Sequence, residues 1–199
     1  MDAVPASTPL PITLEGRFIR LEPLTADDFP ALYAAIGVPE VFAGGYGGGP
    51  AGLPATLEGF LEFAHGYYDF SARRVFAVRL LDGSLVGTSS LGDFDEVREH
   101  AHIGWTAYNP SVWGGSVNPE AKLLMLGHAF DHGFGRVKLQ ADSLNSRSRA
   151  AILKLGATFE GIVRRDMLRP DGIWRDTAVY SILIDEWPAV KAGLEARLR

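Results

Sequence analysis

Apolar residues change period several times along the chain, and each change predicts an element. Phe18-Ile19-Arg20-Leu21 alternates like a strand with one buried face. Thr25-Ala26-Asp27-Asp28 is a capping-box variant, predicting a helix that ends near Gly37. A second helix runs from Thr56 to about Phe70, with Leu57, Phe60, Leu61 and Ala64 on one stripe. Val75–Leu81, the Asp82-Gly83 turn and Leu85–Leu91 read as a hairpin, and His100–Tyr108 as a further strand. The period then switches to helix (Pro119–His132), strand (Val137–Ala141) and helix (Ser146–Leu155), stopped by Gly156. Glu160–Arg169, Pro170-Asp171-Gly172 and Trp174–Ile184 predict a long second hairpin, and Asp185-Glu186-Trp187-Pro188 opens a closing helix. Before that helix the order is β-α-α-β-β-β-α-β-α-β-β: an α+β fold without repeats, expected as one domain over residues 1–199. Residues 1–13, with three prolines, are expected to be a loose arm. Gly44–Gly49 reads equally as a lid or as a slack connection.

Composition narrows the partners. The 199 residues are 47% hydrophobic and 22% charged, ordinary for a soluble domain. No run approaches the roughly 20 apolar residues of a membrane helix, so no membrane partner is expected. The first residues have neither the basic start nor the apolar centre of a signal peptide. Without cysteine, disulfides, thiolate metal sites and a cysteine nucleophile are excluded, which fits a cytoplasmic protein. The net charge of −5 argues against nucleic acid as a partner. Residues 1–100 hold 14 acidic and 6 basic side chains, and residues 101–199 hold 10 and 13. An acidic first half suits a cationic amine, and a basic second half an anionic cofactor.

Chemistry concentrates between Asn109 and Gly156. The tight turn Trp113-Gly114-Gly115-Ser116 runs into a helix that Asn118 would cap and Pro119 would begin. Glycines let a ligand approach the backbone, and the free N–H groups of the helix start favour a phosphate. One strand later, Asn145-Ser146-Arg147-Ser148 opens a second helix, so two sets of free N–H groups come close together. For a general base, His100 and His102 share one face of a strand, with Glu99 on the other. His102 is the first choice, Glu99 the second, and a water relay the third. His128 and His132 stand four apart on a helix, but neither an adjoining glutamate nor a third ligand completes a metal site, and none is expected.

Longer segments carry a resemblance. They are Ile103-Gly104-Trp105-Thr106, Tyr108-Asn109-Pro110, Trp113-Gly114 and Val117-Asn118-Pro119-Glu120-Ala121, then Asn145–Arg149, Lys154–Ala157 and Asp176–Ser181. In order and spacing, from residue 14 onward, the chain resembles the GNAT superfamily of acetyl-coenzyme A-dependent N-acetyltransferases. The branch it resembles includes enzymes that acetylate the N-termini of ribosomal proteins. The resemblance implies a sheet splayed in the middle, with flanking helices. It also implies direct attack of a primary amine, on a peptide N-terminus or a small molecule, upon acetyl-coenzyme A. It implies cofactor binding by Trp105, Thr106, Ala107, Trp113, Gly114, Gly115, Ser116, Val117, Asn118, Asn145 and Ser148, and makes Ser148 the acid for the leaving thiolate. Two departures stand out. The family's Gln/Arg-x-x-Gly-x-Gly/Ala loop reads Ser111-Val112-Trp113-Gly114-Gly115-Ser116 here, and the tyrosine many members place seven residues after the asparagine is Ile152. A non-catalytic acyl-coenzyme A binder and a transferase of a longer acyl group remain alternatives. The long hairpin and Trp187 allow a homodimer.

Overall fold

The structure, a computed structural model, describes residues 5–198. Its strands are β1 (Leu14–Glu15), β2 (Ile19–Pro23), β3 (Arg74–Leu80), β4 (Leu85–Asp95), β5 (His100–Tyr108), β6 (Arg136–Asp142), β7 (Thr158–Leu168) and β8 (Trp174–Leu183). Its helices are α1 (Phe29–Ile36), α2 (Pro39–Ala43), α3 (Leu57–Tyr67), α4 (Val117–Asp131), α5 (Ser146–Lys154) and α6 (Trp187–Arg197). Every long element follows the periodicity of the chain. The additions are short: the two-residue β1 and the five-residue α2 offer too few repeats for a period to show.

One eight-stranded sheet runs β1-β2-β3-β4-β5-β6-β8-β7, antiparallel everywhere except between β5 and β6. Both faces of the central strands are buried, so β3 alternates between two cores. Phe76 and Val78 face the cluster that includes Met125 and Leu126 of α4, while Val75 and Ala77 face Phe29, Leu32 and Phe60 of α1 and α3. The α4 crossover joins the parallel pair. Pairing there covers only His100–His102 against Arg136–Lys138, after which the two strands part. A crevice at the carboxyl ends of parallel strands is where open α/β sheets place ligands.

Glu120 sets the position of α4. It is 3% exposed, and its carboxylate accepts the backbone N–H groups of Arg17, Phe18 and Ile19 at 2.7, 2.8 and 2.9 Å. The start of the sheet is thereby tied to the first turn of the helix.

Three expectations change. Asn118 does not cap α4: Ser116 precedes the helix with helical backbone angles, and Pro119 is the third helical residue. The reversal is completed at Gly114 (φ 78°), so the helix begins sooner, and Pro119 is still within the turn whose N–H groups have no intrahelical acceptor. The Gly44–Gly49 segment is not slack. It coils into a short 3-10 turn, buries Tyr46 and bonds the Tyr46 hydroxyl to that of Tyr68. Residues 5–13 have no regular structure yet are held: Ser7 N–H donates to the His132 carbonyl at 2.9 Å and Thr8 N–H to Glu96 at 2.7 Å. Residues 1–4 of the expected arm lie outside the described residues.

Candidate active site

The parting of β5 from β6 coincides with a bulge. Thr88 of β4 faces Ala107, but Ser90 faces Gly104, so β5 holds one residue more than β4 across this step. The bulge is built on Trp105, whose φ of 51° is unusual for a bulky residue and is held by neighbours on both sides. The Arg73 guanidinium lies 4.1 Å from the ring centroid, and the His102 ring lies 4.7 Å away. Beyond His102, the edge of β5 that faces β6 has no strand partner, so backbone groups of Gly104–Ala107 open into the crevice.

Two cavities meet at Thr106. One, of about 230 Å³, takes Thr106, Ala107, Trp113, Gly114, Asn118, Asn145 and Ser148. The expected cofactor residues from both helix starts are therefore brought together. Gly115, Ser116 and Val117 follow Gly114 in the chain but do not line this cavity. A Cβ on Gly114 would meet nothing within 4 Å, so glycine is needed there for its backbone angle, and the turn faces open space. Two bridges join the mouth. Arg147 stacks 3.6 Å from the Trp113 ring centroid, and the Asn145 amide donates to the Gly44 carbonyl. Asn145 also caps α5, accepting the Ser148 N–H at 2.9 Å.

The second cavity, about 180 Å³, takes His102, Gly104, Trp105 and Thr106 from β5, and Asp142, Arg169 and Arg175 from across the crevice. His102 is 2% exposed. Its Nδ1 lies 2.8 Å from the Asp93 carboxylate, and its Nε2 has no hydrogen-bond partner. Burial holds the imidazole below the ordinary histidine range, against the pull of Asp93. The bond to His102, reinforced by Lys138 at 3.3 Å, draws the Asp93 pKa down to about 2. An Asp-held imidazole with its other nitrogen free is a group able to accept a proton.

Behind the bulge, Lys122 of α4 is 5% exposed and donates to the hydroxyls of Ser89 and Thr106, both at 2.9 Å. Burial alone pulls its pKa down to about 7.

Glu99 is not brought to the crevice. It lies in the turn just before β5, at the far end, where its carbonyl accepts the N–H groups of Gly135 and Arg136. Ile152, 7% exposed, belongs to the core beneath α5, so no side chain there reaches the crevice mouth. Tyr180 is a fully buried core residue whose hydroxyl accepts from Arg149. His132 Nδ1 is 2.8 Å from the His128 carbonyl, and no group of three metal-ligating side chains occurs among the described residues. No helix among them is long and apolar enough to cross a membrane. Asp93, Lys122 and Arg175 were not singled out from the sequence. Only Lys122 left a signal, a charge sharing a helical face with Met125, Leu126 and Ala129.

Comparison with known proteins agrees with this geometry. The family described as acetyltransferase (GNAT) domain matches residues 19–158. YdaF of Bacillus subtilis, provisionally named a ribosomal N-acetyltransferase, is 34% identical over 113 residues, covering 56% of this chain and 61% of YdaF. The chain thus spans less than two thirds of that relative. A GCN5-related N-acetyltransferase from Brucella melitensis superposes with a TM-score of 0.90 at 30% identity, covering 100% of this chain and 90% of the other. RimJ from Mycobacterium smegmatis, solved with CoA-disulfide, shares the fold at a TM-score of 0.72 and 24% identity, covering 95% and 96%. This chain belongs to the GNAT acetyltransferase family.

Proposed function

We propose that the protein moves an acetyl group from acetyl-coenzyme A to a primary amine by direct attack, with His102 as general base. The observation that carries this reading is the buried His102, held by Asp93 through Nδ1 and free at Nε2, in a cavity that adjoins the bulge. Family membership supplies the donor, and the chain's own residues fit it. The Gly114 turn faces open space, and the first N–H groups of α4 have no intrahelical acceptor. Ser111 and Ser116 depart from the usual loop, and the Ser111 N–H is taken by the Asn109 side chain at 2.9 Å, so the donors left for a phosphate are those of the first turn of α4.

Acetyl-coenzyme A supplies an activated thioester. Around it, backbone N–H groups freed along Gly104–Ala107 would donate to the thioester oxygen, and single donors of this kind contribute about 3 kcal/mol. His102 Nε2 takes the proton from the amine in the second cavity. Ser148, which lines the first cavity on the opening turn of α5, would return a proton to the leaving thiolate. The acceptor is a peptide N-terminus or a small amine, and the name of YdaF supports the former. A homodimer stays part of the proposal. It rests on edge strand β7, where Ile162, Val163 and Met167 are 43–46% exposed.

Thiol release from acetyl-coenzyme A across a panel of amines and peptides tests the reading. Release that depends on the amine is expected. Thermal stabilisation by acetyl-coenzyme A without release would instead mark a binding module, and faster turnover of a longer acyl donor would reassign the acyl group.

A further inference from the structure

The acceptor cavity holds a cation that the fold does not use. Arg175 leaves β8 opposite Met167, two residues before Thr177, which pairs with the last residue of β6, and it reaches the cavity that also takes His102. It is only partly exposed, and its buried Nε has no hydrogen-bond partner. Its guanidinium makes no ion pair among the described residues. The neighbouring Arg169 is different, because its charge is met by the buried Asp142 carboxylate. Asp142 is further occupied by the Leu144 N–H at 3.0 Å. Asp142 and then Asp166 of β7 attract Arg175 from a distance without bonding to it, and Arg169 repels it. One guanidinium in this cavity is thus left with its planar fork of donors unfilled.

We infer that the acceptor carries a carboxylate as well as its amine, and that Arg175 binds that carboxylate. The inference rests on the proposed reading of His102 and extends it from the reacting amine to the rest of the acceptor. A guanidinium fork matches a carboxylate with two parallel N–H···O bonds, and partial burial strengthens such a pair over one in water. The cavity's volume of about 180 Å³ is below the range for drug-sized ligands, so it suits one residue-sized unit. Two sources share this chemistry. One is a free amino acid presenting its α-carboxylate, and the other is a peptide whose first residue is Asp or Glu.

The test uses matched pairs: amino acids against their α-carboxamides, and tripeptides beginning with Asp or Glu against those beginning with Asn or Gln. Each pair is assayed for thiol release and by calorimetric titration, with wild type, Arg175→Met and Arg175→Lys. Wild type is expected to favour the carboxylate member of one series at least tenfold in kcat/KM and in affinity. Arg175→Met should erase that preference, and Arg175→Lys should restore part of it, with the KM for acetyl-coenzyme A unmoved. The series that shows the preference identifies the source. Turnover or binding without preference in wild type, or a preference that survives Arg175→Met, overturns the inference. Carboxylate-selective binding lost in Arg175→Met, but with no acyl transfer to any amine, upholds the site and defeats the catalytic reading instead.

Discussion

The two ends of the α4 region hold buried polar groups in opposite ways. At Glu120 three backbone donors fill the carboxylate, and the result is a clamp between the sheet and the helix. In the crevice, His102 Nε2 and Arg175 Nε are buried and have no partner. Lys122 lies between these extremes. It is two residues from Glu120 on the same helix, and it is met by two hydroxyls and no carboxylate. Buried polar atoms left unpaired are costly, so those that line a cavity are candidates for completion by a ligand. The filled cluster serves the fold. The unfilled one, facing a cavity, is the one proposed to serve the reaction.

Breaking the clamp should have the largest effect on stability. Glu120→Ala leaves three backbone N–H groups without acceptors, two of them only part-buried, and is expected to lower stability by about 3 kcal/mol. Urea unfolding measures it, and a change under 1 kcal/mol would show that the clamp is dispensable. In the crevice the loss should fall on rate. His102→Ala is expected to reduce turnover by about 10²–10⁴-fold with acetyl-coenzyme A affinity retained. Because burial lowers the His102 pKa, the imidazole stays neutral down to pH values below the ordinary 6.5, and the acid limb of kcat/KM should lie below that value. Asp93→Asn removes the charge that raises this pKa, so the limb should move to lower pH as the rate falls. A limb that stays put would exclude His102 as the titrating base.

Lys122 sharpens the contrast through stability. Its pKa is about 7 when folded, against an ordinary 10.5, so the unfolded chain binds the extra proton between those values. The cost of burying it therefore grows as pH falls from 10.5 to about 7 and is constant below. Lys122→Met is expected to be more stable by about 1–3 kcal/mol at pH 7, an advantage that fades toward pH 10. Melting curves across that range decide it, and a pH-independent difference would contradict the burial argument. Ser148→Ala should have the smallest effect, a roughly tenfold lower kcat with little change in KM, since it acts only on the leaving thiolate. An equal loss of cofactor affinity would make Ser148 a binding residue.

Much of the fold was legible because each long strand and helix repeats its side-chain period over enough residues to show. The strand His100–Tyr108 and the helix containing Phe60 and Ala64 are two such elements. The glycine turn and the Asn145 cap were also legible, because each is a local backbone event. Thr56 behaves the same way, its hydroxyl accepting the Gly59 N–H at 3.2 Å. The start of α4 was misplaced by two residues because Asn118 and Pro119 form a strong capping signal, which the Gly114 reversal overrides. The order in Gly44–Gly49 could not be read. It depends on Tyr46 meeting Tyr68 and on Asn145 reaching the Gly44 carbonyl 101 residues earlier.

The sequence by itself determined the alternation of strands and helices, the two loop-to-helix junctions and the family, because these depend on neighbours within a few residues. Only the tertiary structure decided the chemistry of the crevice. Asp93 reaches His102 across a β4–β5 bulge, and Lys122 comes up beneath Thr106 from a helix. Arg169 finds Asp142 while Arg175 finds no partner. Which charges are neutralised and which are not is settled by contacts between distant segments, and no local pattern encodes them.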